Sequence, residues 1–361
     1  MAHALLPPRP HGLGTSAAAL AETGRPARAV AALYCPTAVR DDTALAQQVQ
    51  EPLEQWAAGF AVPPAAVAGL GRLAVLSHPD TDDPARLGAA AKLLAAGHLI
   101  ETATLPHAAT VAQDSDAPDS DAHALARAVD TALQEVYDAC DLPSTPPTAD
   151  VPTLHGRPAA AAAATAAAAA AAAGTTAGTT AAGARPVTDI PLVASALAAF
   201  SALPASPYQV DRVARALVAL SAAAGGSSGP HPPWEHLSTA HLNAYSPALA
   251  GLDAIDGYEL PPGAGADPDL ARVVQLASLA AVLLRDLARP RPAGLTAAIA
   301  RAEYLGTPAA ARRAAAVHDD AMRALQHHAT ALAGVSGTAI RRYLSGLWTW
   351  LGGHRTWHTA P

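Results

Sequence analysis

Four charged side chains crowd the end of one apolar stretch. Arg285 and Arg289 stand four residues apart, Asp286 follows Arg285 directly, and Arg291 lies just beyond. Residues four apart share a helix face, so the spacing predicts that the two arginines point the same way. Two readings fit. The pair could grip a phosphate directly, as bidentate donors without metal. Alternatively, the arginines simply suit the negative end of a helix dipole. Carboxylates, whose converging oxygens bind hard divalent cations, cluster in three other places. Asp80, Asp82 and Asp83 precede Pro84 and read as a turn and a cap. Asp114, Asp116, Asp119 and Asp121 lie in a Pro/Ser-rich loop, and Asp319-Asp320 precede Arg323 on a late helix. Such runs are expected to be solvated charge rather than metal sites. Fifteen histidines include no HExxH or Cys/His metal spacing, and no GxSxG or phosphate-loop pattern occurs.

These groups need elements to hold them. Asp267 reads as an N-cap and Pro268 as the first residue of a helix ending at Arg289-Pro290. Val273, Val274, Leu276, Leu279, Val282, Leu283, Leu284 and Leu287 make that helix apolar over most of its circumference, so burial is expected. Before it, Gly257, Pro261, Pro262, Gly263 and Gly265 predict a bend. Before the bend, one helix is expected from about Trp234 to Asp256. Leu45, Val49, Leu53 and Trp56 fall at helical spacing, and Asp83-Pro84 looks like another helix start. Ser206-Pro207 opens a helix of Val210, Val213, Leu217 and Leu220. Further helices are expected over 293–305, 308–333 and 338–351. A short helix is also possible over 122–139. No strand-like alternation is seen, so the fold class is all-α. Four regions follow: a disordered Pro/Gly/Ala-rich arm over 1–40, the N-terminal half of a helical bundle over 41–150, an Ala-rich low-complexity linker over 151–190, and the C-terminal half over 191–361.

Composition sets limits. The chain has 361 residues, 51% apolar, but alanine supplies much of that share; aromatics are 4% and charged residues 15%, with net charge −7. No basic tract suggests nucleic acid. The long apolar runs are short or made of alanine, so a membrane span is not expected. Two cysteines, Cys35 and Cys140, make neither a disulfide framework nor a zinc set. No secretion signal is seen, and the expected location is the cytoplasm.

Trp234-Glu235-His236-Leu237, Asn243, Gly257-Tyr258-Glu259-Leu260-Pro261 and Asp286-Leu287 carry a resemblance to the class I terpene cyclases. It lies nearest the bacterial branch of 2-methylisoborneol synthase-like cyclases. Tyr34-Cys35-Pro36, Gly71-Arg72-Leu73, the run from His78 to Pro84 and the closing Trp348-to-His358 segment extend it over about 10–105 and from about 205 onward. The resemblance implies a class I terpene synthase-like bundle, Mg²⁺ as cofactor if the chain is active, and a prenyl diphosphate or terpenoid as ligand. The Gly12-to-Ala18 element resembles arms associated with loading into encapsulin-type shells, which implies such a shell as partner and a protein nanocompartment as location.

The family's reactive groups do not all carry over. Its diphosphate-sensing Arg falls on Ala240. The Asn, Ser and Glu of its metal triad fall on Arg285, Arg289 and Ala293. Where the family has an Asp-rich run, this chain has Leu93 to Ala103 with Glu101 as the lone carboxylate. Glu101 and Asp286 are thus vestigial metal positions, Arg285 and Arg289 are the candidate anion contacts, and no catalytic residue is assigned. From Ala61 to Val136 there is no Phe, Tyr or Trp, and Trp348, Trp350 and Trp357 are expected to be packing. The expectation is a homologue without Mg²⁺-dependent cyclisation, and so without cofactor. The alternatives are an active cyclase with relocated ligands, or a metal-independent binder of prenyl phosphates or terpenoids.

Overall fold

The computed structural model describes residues 26–111, 189–225, 240–291 and 294–359, and among them every regular element is helical. In chain order the helices are α1 (Pro26–Ala32), α2 (Thr43–Ala58), α3 (Pro64–Val67), α4 (Leu70–Ser77) and α5 (Pro84–Val111). After the first break come α6 (Asp189–Ser201), α7 (Pro207–Gly225), α8 (Ser246–Ala250), α9 (Leu252–Ile255) and α10 (Pro268–Ala288). The last three are α11 (Leu295–Ala302), α12 (Thr307–Val335) and α13 (Thr338–Thr359). The linker up to residue 188, the segment 12–18, Trp234 to Leu237 and the loop aspartates 114–121 lie outside the described residues.

Local chemistry starts several helices where the sequence places them. The Asp267 side chain accepts from the Asp269 and Leu270 amides, and Pro268 opens α10. Asp83 caps α5 through the Ala85 amide at 2.9 Å. Asp42 caps α2 through Leu45, and Leu45, Val49 and Leu53 are buried on that helix. The Trp56 indole donates to Ser195 Oγ at 2.9 Å and ties α2 to α6. Val210, Val213, Leu217 and Leu220 face the core from α7.

α10 is the central rod. It packs most extensively on α12, and α13 and α1 close over it. Leu283, Leu284 and Leu287 are buried, each stabilising by on the order of 1.5–3 kcal/mol. Val274, Leu276 and Leu279 are only partly buried. Leu276 and Leu279 border an open cavity of ≈ 530 Å³ with His241 and Arg272. A second, more apolar cavity of ≈ 300 Å³ lies between Ala216, Leu242, Leu260, Leu270 and Tyr343.

Three expectations need correction. The helix expected over 234–256 is not continuous: within its described part, turns over 240–245 lead into α8 and α9, divided at Gly251. Asn243 explains the turns, because its side chain takes over backbone groups that a helix would pair. Its amide donates to Ala240 O at 2.9 Å and Ser278 O at 3.0 Å, while its oxygen accepts from the Tyr245 amide. Second, residues 26–40 do not belong to an unstructured arm. α1 is formed, Val30, Leu33 and Cys35 are buried, and Arg355 donates to the Ala31, Cys35 and Pro36 carbonyls. Third, α13 runs past Leu351 to Thr359 through Gly352-Gly353. Glycine is a poor helix former, but here it allows close backbone packing. A Cβ on Gly353 would lie 2.5 Å from the Leu76 carbonyl oxygen, and one on Gly352 2.6 Å from that of Thr37.

Candidate functional site

Glu101 and Asp286 are brought to one end of the bundle, where α5, α10 and α11 come together. Glu101 projects from α5 and accepts a forked pair of hydrogen bonds from Arg285: Nη1 to Oε2 at 2.6 Å and Nη2 to Oε1 at 3.1 Å. Arg291 Nη1 approaches the same Oε2 at 3.4 Å. Arg291 also holds Asp286 Oδ1, through Nε at 3.1 Å and Nη2 at 3.0 Å. Asp286 Oδ2 accepts the amide of Leu295 and so caps the first turn of α11. Gly294 makes room for this cap, since a Cβ there would sit 2.5 Å from Oδ2.

Electrostatics follow from this geometry. Burial opposes ionisation of Glu101, but the Arg285 charge and its hydrogen bonds, with Arg291, outweigh burial and hold the carboxyl below the ordinary glutamate range. Two carboxylates face two guanidiniums, and each of the four carboxylate oxygens accepts an N–H.

The two candidate anion contacts do not converge. Arg285 turns inward, its side chain 6% exposed. Arg289 is exposed, its guanidinium 5.1 Å from the centre of the Trp357 ring. The shared-face expectation fails because Arg289 is the C-cap, at φ −135° and ψ 81°, and has left the helix. Glu101 is neither a free ligand nor a surface residue. The other acidic runs also separate. Asp82 pairs with Arg40 and is mostly exposed. Asp320 pairs with Arg323 at the surface. Asp319, expected to be solvated, is buried beneath the chain leaving α1, accepts the Tyr34 amide at 2.8 Å and lies 3.0 Å from His318 Nδ1.

Behind the ion-pair quartet lies a ring cluster that motif reading missed. Tyr245 packs edge-on to His98 at 5.3 Å, to His354 at 4.5 Å and to Trp350 at 5.5 Å, and His354 stacks on Trp350 at 5.3 Å. Arg285 lies over the Tyr245 ring at 5.3 Å. His354 and His358 approach through their Nε2 atoms at 3.2 Å. Burial, reinforced by the Arg285 charge, pushes His98 down to about 4. Burial, then Arg289, pushes His358 to about 3, and burial holds His354 well below the normal imidazole value. These imidazoles are neutral in the folded protein near pH 7. The i,i+4 spacing of His354 and His358 is the local signal that could have flagged them. Trp348 and Trp350 are core packing, as expected.

The sequence resemblance implies Mg²⁺, and the donor set tests that expectation. A hard divalent ion needs several oxygens with free lone pairs. Here Glu101 and Asp286 already accept from Arg285, Arg291 and the Leu295 amide, and two cations stand where a third would have to enter. The residues present do not fit the ion. Among the described residues no group of three or more His, Cys, Asp or Glu side chains is arranged to hold a metal. No described helix is long and apolar enough to cross a membrane.

No family model matches the chain. By sequence it is 35% identical over 171 residues to a 2-methylisoborneol synthase of Saccharopolyspora erythraea, covering 42% of this chain and 48% of that protein. It is 31% identical over 169 residues to a 2-methylisoborneol synthase of Streptomyces ambofaciens, covering 43% and 38%. The matched stretches thus span less than half the length of these relatives. By structure it superposes on 2-methylisoborneol synthase from Streptomyces coelicolor A3(2) with a TM-score of 0.62 at 21% identity, over 91% of this chain and 93% of that one. The same synthase in complex with Mg²⁺ and geranyl-S-thiolodiphosphate gives a TM-score of 0.61. This chain is a homologue of the 2-methylisoborneol synthases, built on the class I terpene synthase fold.

Proposed function

We propose that this chain keeps the terpene synthase scaffold but has lost Mg²⁺-dependent cyclisation of prenyl diphosphates. One observation carries the reading: all four oxygens of Glu101 and Asp286 accept from Arg285, Arg291 and the Leu295 amide. Ionising an allylic diphosphate requires cations aimed at the departing oxygens. A guanidinium locked on an internal carboxylate does not supply one. Two further features support the reading. Arg289, the exposed arginine of this end, stacks on Trp357 apart from Arg285. The space behind the quartet is filled by Tyr245, Trp350 and His354, each essentially inaccessible. The Streptomyces coelicolor synthase in complex with geranyl-S-thiolodiphosphate makes prenyl diphosphates the substrate class to test. Purified protein is incubated with Mg²⁺ and, in turn, geranyl, 2-methylgeranyl, farnesyl and geranylgeranyl diphosphate, and released diphosphate and volatile products are measured. No Mg²⁺-dependent release above a no-protein control is expected. A terpene hydrocarbon or alcohol formed from any of the four overturns the reading.

A further inference from the structure

We infer that Arg285 and Arg291 are resident cations that latch the ends of α5, α10 and α11 together without metal. The inference deepens the proposed loss of Mg²⁺ chemistry and rests on that reading, but it is tested separately. The links run unbroken. Arg285 on α10 forks onto Glu101 on α5, 184 residues away in sequence. Arg291 bridges Glu101 and Asp286, and Asp286 passes the connection to the Leu295 amide of α11. A divalent ion shared by two carboxylates would make the same kind of tie. Two guanidiniums make it permanently, because arginine does not deprotonate near neutral pH.

Chance filling of a helix end with arginine predicts something else. Basic side chains that merely suit a helix dipole stay at the surface, as Arg289 does beside Trp357. Arg285 is instead buried on a carboxylate. Its charge has been taken out of water, which is tolerated only where a partner compensates it. The charges also close: two negative, two positive, with nothing left for a mobile cation to neutralise.

Thermal unfolding of the full chain tests the latch with no substrate present. Wild type is compared in EDTA and in millimolar MgCl₂, alongside Glu101→Gln, Arg285→Met and the double variant. The wild-type Tm is expected to be the same in both buffers. Each single variant should lower Tm by roughly 5–10 °C, by leaving its partner buried and unpaired, and the double variant by clearly less than the sum. A wild-type Tm raised by Mg²⁺, or single effects that simply add in the double variant, overturns the latch. Should a single variant not fold, hydrogen exchange at the Leu295 amide in the milder Arg291→Met variant decides: faster exchange than wild type is expected, and unchanged exchange overturns the inference. A wild type that turns over a prenyl diphosphate would sink the proposed function without altering either readout here.

Discussion

At two places among the described residues, buried carboxylates are paired with arginine. At the bend that α9 leads into, Asp253 of α9 is fully buried, accepts the Ala254 and Leu260 amides at 3.0 and 3.1 Å, and is paired with Arg212. Nearby, Asp256 lies 2.8 Å from His78 Nδ1, and Arg342 donates to the Asp256 carbonyl. At the other region, each carboxylate oxygen of Glu101 and Asp286 accepts from Arg285, Arg291 or the Leu295 amide. The bend has an obvious need for such groups, because irregular backbone leaves amides that must be paired. The α5–α10 end is held differently: Asp286 caps one helix, and Glu101 is gripped by the guanidiniums of Arg285 and Arg291. A site built for ion chemistry would keep oxygens open to its ligand. This one is held in the manner of a structural joint, and that is the physical argument behind the proposed loss of metal chemistry.

Substitutions can break or sharpen this comparison. The largest effect is expected at the bend. Asp253→Ala strands Arg212 and leaves the Leu260 amide unpaired, and should cost about 3–5 kcal/mol in denaturant unfolding. A loss below 1 kcal/mol would show that the bend does not depend on its carboxylate and would undo the parallel. Gly294→Ala should come next, at about 1–3 kcal/mol, because the added Cβ must push Asp286 off the α11 amide or shift the turn. If the end is a joint, equilibrium unfolding registers that loss; if Gly294→Ala is neutral, Asp286 is not committed to its cap.

The sequence made one half of this comparison readable and hid the other. Asp267-Pro268, Asp83-Pro84 and Ser206-Pro207 start their helices as expected, because a cap is decided within a few residues. The chain's departure at Asn243 is also local, but an Asn that bonds to Ser278 on another helix looks the same in sequence as one that does not. The direction of Arg285 was not readable at all. Spacing puts it beside Arg289, and only the remote Glu101 turns it inward, while the C-cap backbone carries Arg289 away. The ring cluster was hidden for the same reason. His98, Tyr245 and His354 come from three elements far apart in the chain, and no local spacing joins them.

That cluster yields the smallest and most specific prediction. His98 is neutral when folded, with its pKa pushed down to about 4 by burial and then by Arg285. In the unfolded chain it titrates near the ordinary imidazole value of about 6.5. Below that pH the unfolded state binds the extra proton, so stability falls as pH drops from about 6.5 toward 4 and is flat above. The slope is about 1.4 kcal/mol per pH unit for one histidine. Glu101 acts in the same direction at lower pH, because its depressed pKa makes its contribution present above the unfolded glutamate value and lost as pH falls through the folded one. Above about pH 5.5 Glu101 drops out, while neutral His354 and His358 add slopes of the same sign, so replacing His98 with Phe should reduce the pH dependence there by one histidine's share and leave the rest, with the acid limb below, in place. The measurement is urea unfolding of wild type and His98→Phe at half-unit steps from pH 7.5 to 4.5. An unchanged slope between pH 6.5 and 5.5 would mean that His98 is already hydrated or charged when folded. The ring cluster behind the quartet would then be open to water, and this end of the bundle would be a site rather than a joint.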